Sequence, residues 1–174
     1  VRMTLDPAAF MEPGQALPGL ARPAFLPIVS SGTLATMLAR RLPGGLAGFI
    51  IETPLAGGHN APPRGRLQLA ADGQPVYGAR DAIDLEVFRG LGLPFWLAGG
   101  YATPEKLAEA RQLGAAGVQV GTPFAFCEES GITDDLKRQA CQMSLDGTAH
   151  VFTDPCASPT GFPFKVMRMP GSLS

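Results

Sequence analysis

The chain has 174 residues, 45% of them apolar and 17% charged, with 14 basic against 15 acidic side chains. That balance leaves no basic footprint for nucleic acid, and so much apolar material at so low a charge excludes a disordered chain. Gly and Pro number 22 and 17, which forecasts many turns between short elements. The cysteines, Cys127, Cys141 and Cys156, are widely spaced and form no C-x-x-C. Neither a disulfide scaffold nor a metal site is therefore expected, and a cytoplasmic setting fits. The longest mostly apolar stretch, 90–102, is broken by Gly and Pro, so neither a membrane span of roughly 20 residues nor a signal peptide is expected. The chain opens on Val1 in a strand-like V-R-M-T-L, and the expectation is that an N-terminal part of a longer fold precedes it.

In chain order, Phe25–Ser30 (F-L-P-I-V-S) reads as a buried strand. A helix over Thr33–Leu42 follows, with Leu34, Met37, Leu38 and Leu42 inward, Arg40 and Arg41 outward, and Pro43-Gly44-Gly45 as its stop. Gly48–Glu52 is the next strand, and 53–79 a long irregular loop of the kind that carries function. Asp84 caps a helix over Leu85–Leu91, and Phe95–Ala98 is a strand broken by Gly99-Gly100. Thr103 is the expected N-cap of a helix with Pro104 in its first turn and Leu107, Ala110 and Leu113 inward. Gly117–Val120 is the last clear strand. Residues 133–145 read as an amphipathic helix with an Asp134–Arg138 pair, and 153–174 as a tail.

The segments Ile28–Ile50 and Trp96–Val118 share one order: Pro, strand, small-residue turn, helix, Gly, strand. Repeated βαβ units with apolar strands imply a parallel sheet buried on both faces. Four good strands, with a fifth expected over Val1–Leu5, amount to about half of a (β/α)8 barrel, which takes about 250 residues. The fold class is thus α/β, the C-terminal half of such a barrel, in one domain over 1–174. Open edges are expected at Val1–Leu5 and Gly117–Val120, and Ile28, Phe49 or Ile50, and Trp96 would line its interior. A fragment of that kind either dimerises or needs an N-terminal half.

Chemistry in parallel α/β folds sits at the C-terminal ends of the strands. That rule selects Ser30-Ser31, Glu52 through His59, Gly99-Gly100 and Gly121-Thr122. Paired glycine turns on the last two strands suit a phosphate, because glycine lets backbone N–H groups approach the anion and Thr122 adds a hydroxyl. In A-G-G-H, Gly57 and Gly58 let a flat ring lie against the backbone, and His59 is the candidate base, histidine being the residue type suited to taking a proton at neutral pH. His150, in T-A-H-V-F, reads as structural. Arg64, Arg66, Arg80 and Asp81 are either a lid or solvated loop charges. Cys127 reads as a small buried hydrophobe, and Trp96 and Tyr101 as packing residues, with Tyr101 also placed to edge the phosphate site.

P-I-V-S-S, E-T-P-L-A-G-G-H-N-A-P-P-R-G, L-A-G-G-Y, G-V-Q-V-G-T and the tail A-S-P-T-G-F-P-F-K-V together resemble the nitronate monooxygenase family, FMN-dependent (β/α)8-barrel enzymes. The resemblance implies that His59 is the catalytic histidine and that Gly57 contacts flavin through its backbone. Gly99 and Gly100 would form one half of the phosphate cradle, and Gln119, Val120, Gly121 and Thr122 the other. Glu52 stands where many members carry a Gln facing the flavin; an ionised Glu only accepts hydrogen bonds.

The function this implies is FMN-dependent oxidation of nitroalkanes or nitronates with O2, the partners being a small nitro compound and oxygen. The alternatives are a flavin-dependent reductase of the enoyl-ACP type using NAD(P)H, and a non-catalytic barrel that binds a phosphorylated ligand. A yellow chromophore separates the last from the other two, and NADH consumption without a nitro compound separates the reductase from the oxidase.

Overall fold

The computed structural model describes residues 4, 6–12, 23–42 and 45–171. Four parallel strands form one sheet: β1 (Ile28–Val29), β2 (Phe49–Glu52), β3 (Phe95–Ala98) and β4 (Gly117–Gln119), each beside the next in chain order. The register runs Ile28–Ile50–Trp96–Gly117 across the sheet, with Glu52–Ala98–Gln119 near its C-terminal edge. Helices α1 (Gly32–Arg41), α2 (Leu85–Gly90) and α3 (Pro104–Gln112) alternate with these strands. Each begins at the cap its sequence supplies. Ser31, Asp84 and Thr103 accept hydrogen bonds from the N–H groups of Leu34, Glu86 and Lys106.

Right-handed parallel crossovers put consecutive helices on one side of a sheet. Here that side is the core: Val29, Phe49, Ile51, Phe95 and Leu97 meet Ala35, Phe88 and Ala110. The Phe88 ring stands edge-on to Phe49 at 5.8 Å and tilted to Phe95 at 6.3 Å. Phe49, Ile51 and Phe88 are fully buried, each contributing about 1.5–3 kcal/mol of transfer free energy. The expected burial of both faces is corrected: Ile28 is 52% exposed, and Ile50 and Trp96 on the same face are only half-buried. Of the interior candidates, Ile50 takes this open face and Phe49 the helix face. Trp96 lies across it between Gly48 and Gly117, where a Cβ would come 2.9 and 3.0 Å from the indole.

Other expectations are corrected as well. Leu34 and Met37 of α1 are exposed, because the stripe against the sheet is Ala35, Leu38 and Ala39, whose small residues let the helix approach closely. Leu107 of α3 is 38% exposed, while Ala110 is buried and Leu113 packs on the core. The expected strand over Val1–Leu5 lies, apart from Thr4, outside the described residues, as do Pro43 and Gly44.

After the short helix α4 (Thr122–Ala125) comes α5 (Asp134–Leu145). Its pairs form at i+3, Asp135–Arg138 at 2.5 Å and Asp134–Lys137 at 3.6 Å, not between Asp134 and Arg138. The buried Lys137 amine, which also donates to the Glu128 carbonyl, draws Asp134 to its own side of the helix. The expected tail is in fact an antiparallel hairpin, β5 (Val151–Asp154) with β6 (Phe164–Met167). Among the described residues no helix is long and apolar enough to cross a membrane.

Candidate functional site

The ends of β2, β3 and β4 open onto one cleft of about 560 Å³, walled by Glu52, Ala56-Gly57-Gly58, Gly99-Gly100, Tyr101 and Gln119 through Thr122. The structure therefore brings together every cofactor-binding candidate named from sequence. Gly99 makes this possible. Its φ is +95°, and a Cβ there would strike the Thr53 hydroxyl and the Ala56 nitrogen, the latter at 2.7 Å. The loop after β2 thus folds directly onto the β3 turn, tied by the Thr53 N–H to the Ala98 carbonyl at 3.1 Å. Across the cleft Gly57 faces Thr122, since a Cβ on Gly57 would lie 2.8 Å from the Thr122 hydroxyl.

A phosphate fits this wall. Among the described residues none accepts a hydrogen bond from the N–H groups of Gly100, Gly121 or Thr122, and a Cβ on Gly121 would meet nothing within 4 Å. Tyr101 both packs on the core and lines the cleft. Glu52 is half-buried at its inner end, and burial pushes its carboxyl above the ordinary value of 4.5.

His59 does not line this cleft. It faces a second one, of about 630 Å³, built with the hairpin: Asp154, Ala157, Ser158, Pro159, Thr160, Phe164, Val166 and Arg168. The segment Gly57-Gly58 is the partition between the two. The hairpin is stitched to it by the Lys165 N–H to the Gly58 carbonyl at 2.9 Å and the Asn60 N–H to the Pro163 carbonyl at 2.8 Å. Buried Asn60 also donates to the Ala56 carbonyl at 3.0 Å, closing the A-G-G-H turn. The His59 ring stands edge-on to Phe164 at 4.7 Å, and its Nε2 is 2.7 Å from the Ser158 hydroxyl. Ser158 is buried, lies 2.6 Å from the Thr160 hydroxyl and accepts from the Thr160 N–H at 3.2 Å.

Ser158, Phe164 and Asn60 were missed by sequence reasoning. The one signal was the alternation in V-F-T-D and F-K-V-M, which marks a hairpin that returns the tail to His59. Lys165, on the hairpin's other face, has its amine pushed below the ordinary lysine value by burial and donates to Thr153 at 2.6 Å.

The loop charges divide. Arg64 is anchored, donating to the Ser30 carbonyl at 2.7 Å and the Arg80 carbonyl at 2.5 Å, while its N–H meets Asp81 at 2.8 Å. Arg64 and Asp81, with Ser30, Glu52 and Tyr77, bound a small recess at the ends of β1 and β2. Arg66 is exposed, away from both clefts. Cys127 is only partly buried, its thiol donating to the Phe124 carbonyl at 3.0 Å. No cluster able to hold a metal ion occurs among the described residues. His150 is exposed beside the hairpin and lines neither cleft.

A curated relative from Mycobacterium tuberculosis, (3aS,4S,5R,7aS)-5-hydroxy-7a-methyl-1-oxo-octahydro-1H-indene-4-carboxyl-CoA dehydrogenase, is 33% identical over 124 residues, 71% of this chain and 30% of its own length. The dehydrogenase of the same name from Rhodococcus jostii is 28% identical over 85% of this chain and 38% of its own length. The chain thus spans only 30% and 38% of the lengths of these two curated relatives. A mutant of FabK from Thermotoga maritima superimposes with a TM-score of 0.53 at 26% identity, over 84% of this chain and 41% of that one. The family model for nitronate monooxygenase matches residues 21–157, a span that holds both glycine turns, the partition and His59, and the chain belongs to the nitronate monooxygenase family.

Proposed function

We propose that this chain carries the phosphate cradle and the general base of an FMN-dependent oxidoreductase that oxidises nitroalkanes or nitronates with O2. The observation that supports this best is the partition: one thin Gly57-Gly58 segment has a donor-rich glycine cleft on one side and an anchored histidine on the other. The sheet would form part of a (β/α)8 barrel. Bound FMN would take electrons from the substrate and pass them to oxygen. The N–H groups of Gly100, Gly121 and Thr122 would hold its phosphate, and Gly57 and Gly58 would let a ring approach the backbone.

His59 takes the proton next to the nitro group. In the tautomer a base needs, Nε2–H donates to the Ser158 hydroxyl and the Nδ1 lone pair is left for the proton. Ser158 then accepts from His59 and from the Thr160 N–H and donates its own hydrogen to the Thr160 hydroxyl, so the Ser158 hydroxyl is fully satisfied. The test is His59→Ala in the flavin-loaded protein. Turnover of neutral nitroalkanes should fall about 10²–10⁴-fold, with flavin retained and preformed nitronates, already deprotonated, affected less. Equal small losses on both substrates would remove His59 as the base.

A second reading is favoured by the relative that is 33% identical, whose name is that of a carboxyl-CoA dehydrogenase. A proton beside a thioester carbonyl is, like one beside a nitro group, a carbon acid that the same histidine could remove. Turnover of an acyl-CoA by the flavin-loaded protein, with nitroalkanes inert, would favour this reading over the first.

A further inference from the structure

The His59 cleft is polarised along its length. On a two-stranded ribbon, residues directly opposite each other share a face, so Asp154 pairs with Phe164 at the His59 end and Phe152 with Val166 in the middle. The pairing continues one step further, the Arg168 N–H donating to the His150 carbonyl at 3.3 Å. Arg168 and His150 therefore stand opposite each other at the far end of the same face. The Arg168 guanidinium lies 4.4 Å from the Phe152 ring centroid, and the His150 ring lies 6.5 Å from that ring. No carboxylate pairs with Arg168 among the described residues. Asp72 is near enough to feel the His150 charge, but its oxygens accept from the Gln74 side chain and backbone. Asp154 accepts from the Cys156 N–H and leaves a negative charge at the His59 end.

We propose that Arg168 forms the anion-recognition end of the His59 cleft, with His150 opposite it on the same ribbon face just outside the lining, so that the substrate is a long molecule with an anionic group far from its reacting carbon. This rests on the reading of His59 as the base. Arg168 is four residue steps along from Phe164, and at roughly 3.3 Å per step the span is about 13 Å. A nitroalkane of two or three carbons does not reach across it. A carboxylate on a long alkyl chain or the phosphate of a pantetheine-type thioester arm does. Phe164 and Val166 offer the arm apolar contact, and Asp154 repels the anion toward Arg168, which fixes the direction of binding.

The test is direct binding to the whole chain, followed by Trp96 fluorescence or calorimetry, with decanoate, butyryl-CoA and the neutral decan-1-ol. At least one anion should bind about tenfold more tightly than decanol, equivalent to about 1.4 kcal/mol, and salt should erode the difference. Arg168→Gln should abolish that preference without altering decanol binding, and His150→Gln should weaken it in the same direction. A preference for butyryl-CoA points to phosphate, one for decanoate to carboxylate. Equal binding of decanol and both anions, or an anion preference that survives Arg168→Gln, overturns the proposal. In the parent protein, turnover without the anion preference would mark a failure of the anion end, and the anion preference without turnover a failure of the base.

Discussion

The two clefts on either side of Gly57-Gly58 are made of different materials. The glycine cleft is walled largely by backbone at the ends of consecutive strands, and each part is set by local turn chemistry. The His59 cleft is walled by side chains, and its key contact joins His59 to Ser158 across 99 positions of sequence. A backbone site tolerates no added atom where the chain doubles back, whereas a side-chain site fails through lost partners.

The sharpest way to break that comparison is to put one methyl group on each of two glycines. Gly99→Ala should destabilise the fold by about 3 kcal/mol or more, the sum of a left-handed backbone and a clash with the Thr53–Ala56 turn. Gly121 has φ −123° and open space beyond, so Gly121→Ala should leave stability within about 0.5 kcal/mol of the parent. Gly121→Val should likewise keep the fold but lose bound flavin, because its branched side chain occupies the phosphate position. Denaturant midpoints and the flavin absorbance of the purified variants check all three. A stable Gly99→Ala, or stoichiometric flavin on Gly121→Val, would show that the backbone wall is not the constraint.

The same contrast explains what was legible in the sequence. Gly99-Gly100 and Gly121-Thr122 announce themselves because a turn after an apolar strand is a local pattern, and Ser31, Asp84 and Thr103 cap where their own neighbours dictate. Leu34, Met37 and Leu107 misled because helical periodicity marks an apolar arc but not its rotation. Packing chose Ala35 and Ala110, where small side chains let helix and sheet approach. The hairpin was lost because Phe152 and Phe164 sit in short, half-exposed strands whose partner is the loop after β2. His59 was found by residue type and place, but its cleft was not, since that depends on a segment which periodicity along the first hundred residues does not reach.

A milder intervention acts on the side-chain cleft. Ser158→Ala removes the acceptor of the His59 Nε2–H and of the Thr160 N–H, both on exposed residues that water can still reach. Stability should fall by about 0.5–1.5 kcal/mol, the net worth of an ordinary hydrogen bond. If His59 is the base, kcat for a neutral nitroalkane should drop about tenfold with KM little changed, as expected for an interaction that strengthens when the ring becomes charged. An unchanged kcat with lowered stability would make Ser158 a packing residue only.

The smallest expected effect lies where the two regions meet the sheet, at Glu52. Burial raises its carboxyl above the ordinary value of 4.5. The folded protein therefore holds this proton more tightly than the unfolded chain does. Between 4.5 and the higher folded value the native state binds more protons, so stability falls as pH rises through that window and the loss is complete above it. Glu52→Gln keeps the shape, carries no proton to lose and supplies an amide donor toward the glycine cleft. The variant should match the parent below 4.5 and exceed it at neutral pH, the gain developing across the window, while flavin binding holds or improves. Urea midpoints of the two proteins at acid and neutral pH decide it. Parallel curves would mean that the Glu52 carboxylate is solvated well enough in the folded chain to ionise without cost, and that the inner end of the glycine cleft is wetter than its walls imply.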